Sequence, residues 1–228
     1  MEVALRVLRY LKSSPGRGIL FSKNDHLNIT GYTDADWAGN LTDRKSTSGY
    51  FTFVGGNLVT CKSNKQNVVA LSSAKAEFRG MTKGLCEILW IKGLLKELGY
   101  PMETEIKMYC DNKAAITIAN NPVQHDRTKH VEANRHLIKQ KLEEKIVIFP
   151  FVKSEDQLTD ILTKTVSSKV FHCSLNKLGI RDIFATTWGG VLIIINSWFG
   201  KYYKSGKLEI KNKFREKIDI FLFLVLHP

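Results

Sequence analysis

The sequence predicts an α/β fold: a mixed five-stranded sheet flanked by helices, with an irregular C-terminal tail. Three observations carry that expectation. β-rich runs crowd the first third of the chain around one strong hairpin signal, a long helix-period apolar stripe follows, and shorter strand and helix patterns then alternate. Hairpins give antiparallel neighbours and strand–helix alternation gives parallel ones, so the sheet is mixed and its helices pack on its faces. In such sheets, sites form beyond strand ends where neighbouring connections diverge.

Val3, Val7, Leu8 and Leu11 fall at helical spacing, and Ser14-Pro15-Gly16 ends that first helix. Residues 18–22 and 27–37 read as extended, and residues 50–54 and 58–62 are β-rich runs around Gly55-Gly56-Asn57. Paired glycines accept the left-handed backbone that a tight hairpin turn demands. A long helix is expected over residues 73–98, with Ser73 as N-cap, a stripe through Phe78, Met81, Leu85, Ile88 and Leu95, and a stop at Gly99-Tyr100-Pro101. Ile106, Met108 and Cys110 alternate as a strand ending at Asp111, ahead of a short helix over residues 113–120. Asn120-Asn121-Pro122 breaks that helix, and a polar, basic loop runs to Lys129. A helix over 130–144 and a strand over 146–152 follow, and Ser154 with Gln157 forms a capping box for a last helix over 155–166. Residues 187–228 change character: the apolar runs GGVLIIINSWFG and IDIFLFLVL bracket the basic KYYKSGKLEIKNKFREK, and no stripe joins them to the core.

Composition narrows the function classes. The 228 residues suffice for a well-cored domain with extensions, and 43% hydrophobic against 25% charged residues excludes a disordered chain. A formal charge of +12 suits a polyanionic partner, nucleic acid or an acidic membrane surface. Cys61, Cys86, Cys110 and Cys173 form no CxxC pair, so neither a zinc site nor a disulfide framework is indicated. The N-terminus is charged throughout, and no apolar run approaches the ~20 residues of a membrane span. A soluble, intracellular protein without a membrane partner is expected.

GYTDADWAGN places Asp34 and Asp36 at a strand end, where apolar residues would be ordinary. Alternation along the strand turns both to the same side. Three further acids stand out by position: Glu77 at the start of the long helix, Asp111 at a strand end, and Asp160 on the last helix. Each has an ordinary reading. Glu77 would complement the helix dipole, Asp111 would be an N-cap, and Asp160 would belong to a solvated face. Together they can meet at one sheet edge. Clustered carboxylates repel unless cations neutralise them, and Mg²⁺ suits sites of a few carboxylates plus substrate phosphate. Two such ions ~3.5–4 Å apart clamp the attacking water and the leaving oxygen of a phosphodiester.

TDADWAG, DRKSTSGY, SSAKAEF, MYCDNKAAI, RTKHVEANRHLIKQKL and EDQLTDILTK, in that order, resemble the ribonuclease H domain of copia-type retrotransposon Pol polyproteins of plants, over about residues 1–185. The resemblance implies a ribonuclease H fold and cleavage of the RNA strand of RNA–DNA hybrids, with two Mg²⁺ ions as cofactor and Mn²⁺ as a substitute. Residues 1–28, with RVLRYLK and PGRGILFSK, resemble the end of the reverse transcriptase connection; 29–168 would be the ribonuclease H domain and 169–228 a C-terminal extension. Asp34 matches the family's first-strand aspartate because it follows Thr33, with Asp36 as competitor or outer ligand. Glu77 in AEF, Asp111 in YCDN and Asp160 in LTDI match the other three acids, so all four are expected to be catalytic and metal-binding. Arg44, Lys45, Ser46, Thr47 and Ser48 are expected near backbone phosphates, with an ordinary polar turn as the alternative, and Asn112 is expected near the minor groove.

The chain departs from the family at two points. Relatives carry a mobile histidine before the last helix, where this chain has FVKSEDQ; His130 and His136 are expected to be structural. The basic handle helix of some relatives is also missing, and QHDRTKH would take a little of its role. Expected partners are an RNA–DNA hybrid and the reverse transcriptase portion of the parent polyprotein, in a cytoplasmic virus-like particle or the nucleus. A competing reading is a catalytically idle, nucleic-acid-binding fragment of a decayed element. An integrase-like strand transferase is a weaker third, since no HHCC zinc module is visible.

Overall fold

A computed structural model gives the architecture and describes residues 16–120 and 129–182, together with Leu5 and Lys12. The expected first helix, most of the basic loop before Lys129 and the apolar tail lie outside the described residues. The strands are β1 Arg17–Ile19, β2 Ile29–Ala35, β3 Thr47–Val54, β4 Asn57–Lys65, β5 Ile106–Tyr109, β6 Val147–Ile148 and β7 Ile180–Asp182. The helices are α1 Ser73–Glu97, α2 Lys113–Asn120, α3 Lys129–Glu143, α4 Asp160–Thr163 and α5 Ser168–Lys177.

The main sheet has five strands in the order β4-β3-β2-β5-β6. β2, β3 and β4 pair antiparallel, while β5 runs parallel to both β2 and β6. This is the mixed sheet the sequence predicts and the ribonuclease H-like topology the resemblance implies. Val54 and Asn57 pair across the hairpin, leaving Gly55 and Gly56 to turn with φ of 57° and 75°. Both values are in the left-handed region that glycine adopts without strain.

Each face of the sheet is covered by a different layer. On one face, Met81, Leu85, Ile88 and Ile91 of α1 pack with Ile29, Ile106, Met108 and Val147, and Ile138 of α3 joins them. On the other, Phe51, Phe53, Leu58 and Cys61 meet Leu158, Leu175, Leu178 and Ile180. Period-two alternation explains the division: Phe51 and Phe53 face one layer while Tyr50 turns the other way, its hydroxyl donating to Glu87 of α1 at 3.0 Å. Residues 168–182 are therefore built into the second layer. β7 also pairs antiparallel with β1, Arg17 opposite Asp182 and Ile19 opposite Ile180, so the segments before residue 29 and after residue 168 meet.

Three local expectations are corrected. Ser72, not Ser73, caps α1; its Oγ accepts from the Lys75 N–H at 3.3 Å. The strand expected over 146–152 pairs regularly only at Val147–Ile148, with a further bridge between Phe151 and Cys110. Pro150, lying between, has no N–H to donate and instead accepts from the Cys110 N–H at 3.2 Å. The helix expected over 155–166 is broken into a 3₁₀ turn, Ser154–Asp156, and α4. Its capping box does not form, because Gln157 is drawn inward: its Nε2 donates to the Thr33 carbonyl at 3.0 Å and its Oε1 accepts from Thr159 Oγ1 at 2.7 Å. Among the described residues, no helix is long and apolar enough to cross a membrane.

Candidate metal and nucleic-acid site

β2 and β5 run parallel with Tyr32 opposite Tyr109. Continuing that register by two residues sets Asp34 beside Asp111 at one edge of the sheet. Close helix packing brings the other two acids there. A Cβ on Gly80 would lie 3.1 Å from Thr33 Oγ1 and 3.4 Å from the Asp34 carbonyl oxygen, so α1 sits almost on β2 just after Glu77. Opposite, Gly49 is the β3 partner of Asp34, and a Cβ there would lie 2.8 Å from Leu162 Cβ. The missing side chain admits α4, with Asp160 at its start.

The four acids converge. Carboxylate oxygens of Asp34, Asp111 and Asp160 lie within 4.8 Å of one another, and so do Glu77, Asp111 and the sulfur of Cys110. Asp34 is fully buried: Thr163 Oγ1 donates to its Oδ2, and Lys164 Nζ stands 3.1 Å from Oδ1. The same ammonium is 2.8 Å from Asp160 Oδ1, and Ser154 Oγ donates to Asp111 Oδ2 at 2.9 Å. Glu77 shares a hydrogen bond with Asp34 and accepts from the Ala35 N–H. Only 4% of Glu77 is exposed, yet its Oε2 has no partner. Burial, and next the charge of Asp34, push its carboxyl up to about 10. Burial also raises Asp160, Lys164 opposing and Asp34 reinforcing the shift. A buried, orphaned carboxylate oxygen facing further acids fits a hard divalent cation. The residues present therefore suit the metal that the sequence implies.

The ordinary readings of the acids do not describe this geometry. No acid lies in the first turn of α1, where a dipole partner would be, and Glu77 is buried beyond it. Asn112, not Asp111, accepts from the Ala115 N–H, at 3.0 Å, and so caps α2. Asp160 is half-buried and paired. Asp36 lies in neither acid group; its Oδ1 accepts from the Thr47 N–H and its N–H donates to the Thr47 carbonyl at 3.0 Å, tying β2 to β3.

The residues expected to touch substrate separate by burial. Arg44 is exposed, and Lys45, Thr47 and Asn112 are half-buried. Ser46 and Ser48, also expected there, are instead engaged inside the loop: Ser46 Oγ accepts from the Ala38 N–H at 3.1 Å and Ser48 Oγ accepts from Gln66 Nε2 at 2.7 Å. Both serines are buried, at 0% and 3% exposure. His136 is exposed on α3. Sequence reasoning missed Thr163, Lys164, Ser154 and Gln157. Only Lys164 carried a local signal, four residues after Asp160 on one helix, the spacing of an ion pair.

No protein-family model matches the chain. The retrovirus-related Pol polyprotein from transposon RE2 of Arabidopsis thaliana is 38% identical over 189 residues, covering 83% of this chain and 13% of that protein. The retrovirus-related Pol polyprotein from transposon TNT 1-94 of Nicotiana tabacum is 35% identical over 182 residues, 79% of this chain and 14% of that protein. The chain thus spans only about an eighth of the length of the curated relatives it matches. Among solved structures, LC11-RNase H1 in complex with RNA/DNA hybrid is 16% identical with a TM-score of 0.45, covering 60% of this chain and 94% of that one.

Proposed function

Because the chain is homologous to part of the retrovirus-related Pol polyproteins of plant transposons and carries a ribonuclease H-like fold, we propose that it is a metal-dependent endonuclease that cleaves the RNA strand of RNA–DNA hybrids. The observation that supports this most is the convergence of Asp34, Asp111 and Asp160, with Glu77 grouped beside Asp111 and next to Asp34 and its Oε2 buried without a partner. On this reading those four residues hold Mg²⁺, with Mn²⁺ as a substitute. A divalent ion bound there supplies the charge that activates a water and stabilises the leaving oxygen.

The chain's own groups do the rest. Thr163 orients Asp34 and Ser154 orients Asp111, so the carboxylates are set before substrate arrives. Arg44 and Lys45 bind backbone phosphate. Asn112, its Oδ1 committed to capping α2, offers its amide N–H groups to a 2′-hydroxyl. Residues 1–28 end the connection to the reverse transcriptase, 29–168 form the nuclease, and 169–228 extend it, the described part of that extension packing on the sheet. The reverse transcriptase of the parent polyprotein is the protein partner, and the cytoplasmic virus-like particle of the element is the setting.

The test is incubation of purified protein with a labelled RNA–DNA hybrid, with and without Mg²⁺. Cutting of the RNA strand only with metal is expected. Metal-independent binding without any cutting would replace this reading with the idle-fragment one.

A further inference from the structure

Lys164 brings a positive charge into a site otherwise built from acids. Its ammonium lies 3.1 Å from Asp34 Oδ1 and 2.8 Å from Asp160 Oδ1, bridging the two carboxylates. Thr163 donates to the other oxygen of Asp34. Both oxygens of a carboxylate with no solvent exposure are thus engaged by adjacent residues at the end of α4. That end is itself anchored, because Ser63 Oγ donates to the Leu162 carbonyl at 2.7 Å and Gly49 admits Leu162 closely. The fold therefore places the ammonium. The Lys164 side chain is also 41% exposed, which gives it solvent to swing into. A divalent cation held by these same oxygens would stand within a few ångströms of the ammonium, and like charges that close exclude each other.

Resting on the metal-site reading above, we propose that Lys164 is a tethered competitor for the metal. Its ammonium holds Asp34 and Asp160 together in the metal-free protein, and a divalent ion enters between them only by displacing it. Lys164 thereby sets the metal concentration at which this part of the site fills. It also keeps the buried Asp34 neutralised until then. Glu77 and Asp111, which the ammonium does not touch, stay open to an ion throughout.

Mg²⁺ and Mn²⁺ binding by isothermal titration calorimetry, with melting in EDTA, tests this in the full chain carrying Lys164→Met, Lys164→Gln or Lys164→Arg. Lys164→Met and Lys164→Gln should bind metal roughly tenfold to a hundredfold more tightly, the value of one charged hydrogen-bond partner, and melt lower than wild type without metal. Lys164→Arg should restore both the metal-free melting temperature and the weaker affinity. In an Asp160→Asn background the affinity gain from Lys164→Met should shrink, because only the Asp34 contact is then left for a metal to displace. An undiminished gain there means long-range repulsion and overturns the proposal. Equal metal affinity of wild type and Lys164→Met overturns it while leaving the metal site standing. Failure of every variant to bind a divalent ion brings down the metal-site reading, and this proposal with it.

Discussion

Glu77 concentrates the chemistry of the site in one side chain. Its carboxyl, raised from 4.5 to about 10, keeps its proton at neutral pH when no metal is present. The folded state thus binds a proton that the unfolded state releases, so metal-free stability falls as pH rises from about 4.5 to about 10. A cation removes the cause, and its binding should expel that proton. Calorimetry at pH 7 in buffers of different ionisation enthalpy is expected to show proton release on Mg²⁺ binding, lost in Glu77→Gln. A binding heat independent of buffer would remove Glu77 from the ligand set. Asp34→Asn, Glu77→Gln and Asp111→Asn should each lower hybrid cleavage at least roughly a hundredfold, with circular dichroism unchanged. Asp160→Asn should cost less, because Asp160 is only half-buried whereas Asp34 and Glu77 are buried. Wild-type rates for Asp111→Asn would refute the assignment.

At the scale of elements, the site depends on how closely two helices approach β2. Gly80→Val would drive a branched side chain toward Thr33 and the Asp34 backbone, where a single Cβ is already tight against Thr33 Oγ1 and in van der Waals contact with the Asp34 carbonyl. Overpacking of this kind costs about 1–3 kcal/mol, and here it also lifts Glu77 away from Asp34. Gly80→Val should therefore lower both the melting temperature and the metal affinity. Gly93 on the same helix is the contrast: it is exposed, and an added Cβ meets nothing within 4 Å. Gly93→Ala should stabilise by roughly 0.5–1 kcal/mol, read as a higher melting temperature with unchanged metal binding. Equal effects at the two positions would show that the approach of α1 does not position the site.

For the whole molecule, the second core layer decides where the chain can be shortened. A chain ending at residue 186 keeps every described element and loses the runs IIINSWF and IFLFLVL, so it should melt like the full chain and be more soluble. Ending at residue 167 instead removes Leu175, Leu178 and Ile180, each worth about 1.5–3 kcal/mol when buried, and should unfold or nearly so. Identical melting of the two truncations would place α5 and β7 outside the core. The charge of +12 also acts at this scale: it is expected to bind any duplex through its phosphates, with affinity falling steeply as salt rises. Choice of strand must come from groups near the acids that sense a 2′-hydroxyl. Cutting is expected for the RNA of a hybrid, little for double-stranded RNA and none for double-stranded DNA, while low-salt binding discriminates much less. Equal cutting of double-stranded RNA and hybrid would exclude this account.

The features legible in the sequence are those with local causes. Period-two and period-3.6 patterns marked β2 to β5 and α1, Gly55-Gly56 marked the hairpin, and the order of motifs picked out Asp34, Glu77, Asp111 and Asp160. Only the tertiary structure decided what depends on residues far apart in the chain. Gln157 reaches the Thr33 carbonyl 124 positions away and so breaks the last helix where a local capping box predicted continuity. Lys164 reaches Asp34 across 130 positions and carries a cation into the acid cluster. Ser46 and Ser48 turned inward because Ala38 and Gln66 fold over them, and α5 with β7 joined the core because Phe51 and Phe53 left a face to cover. Local propensity sets which elements form, but burial and partner choice follow from which surfaces the completed sheet brings together.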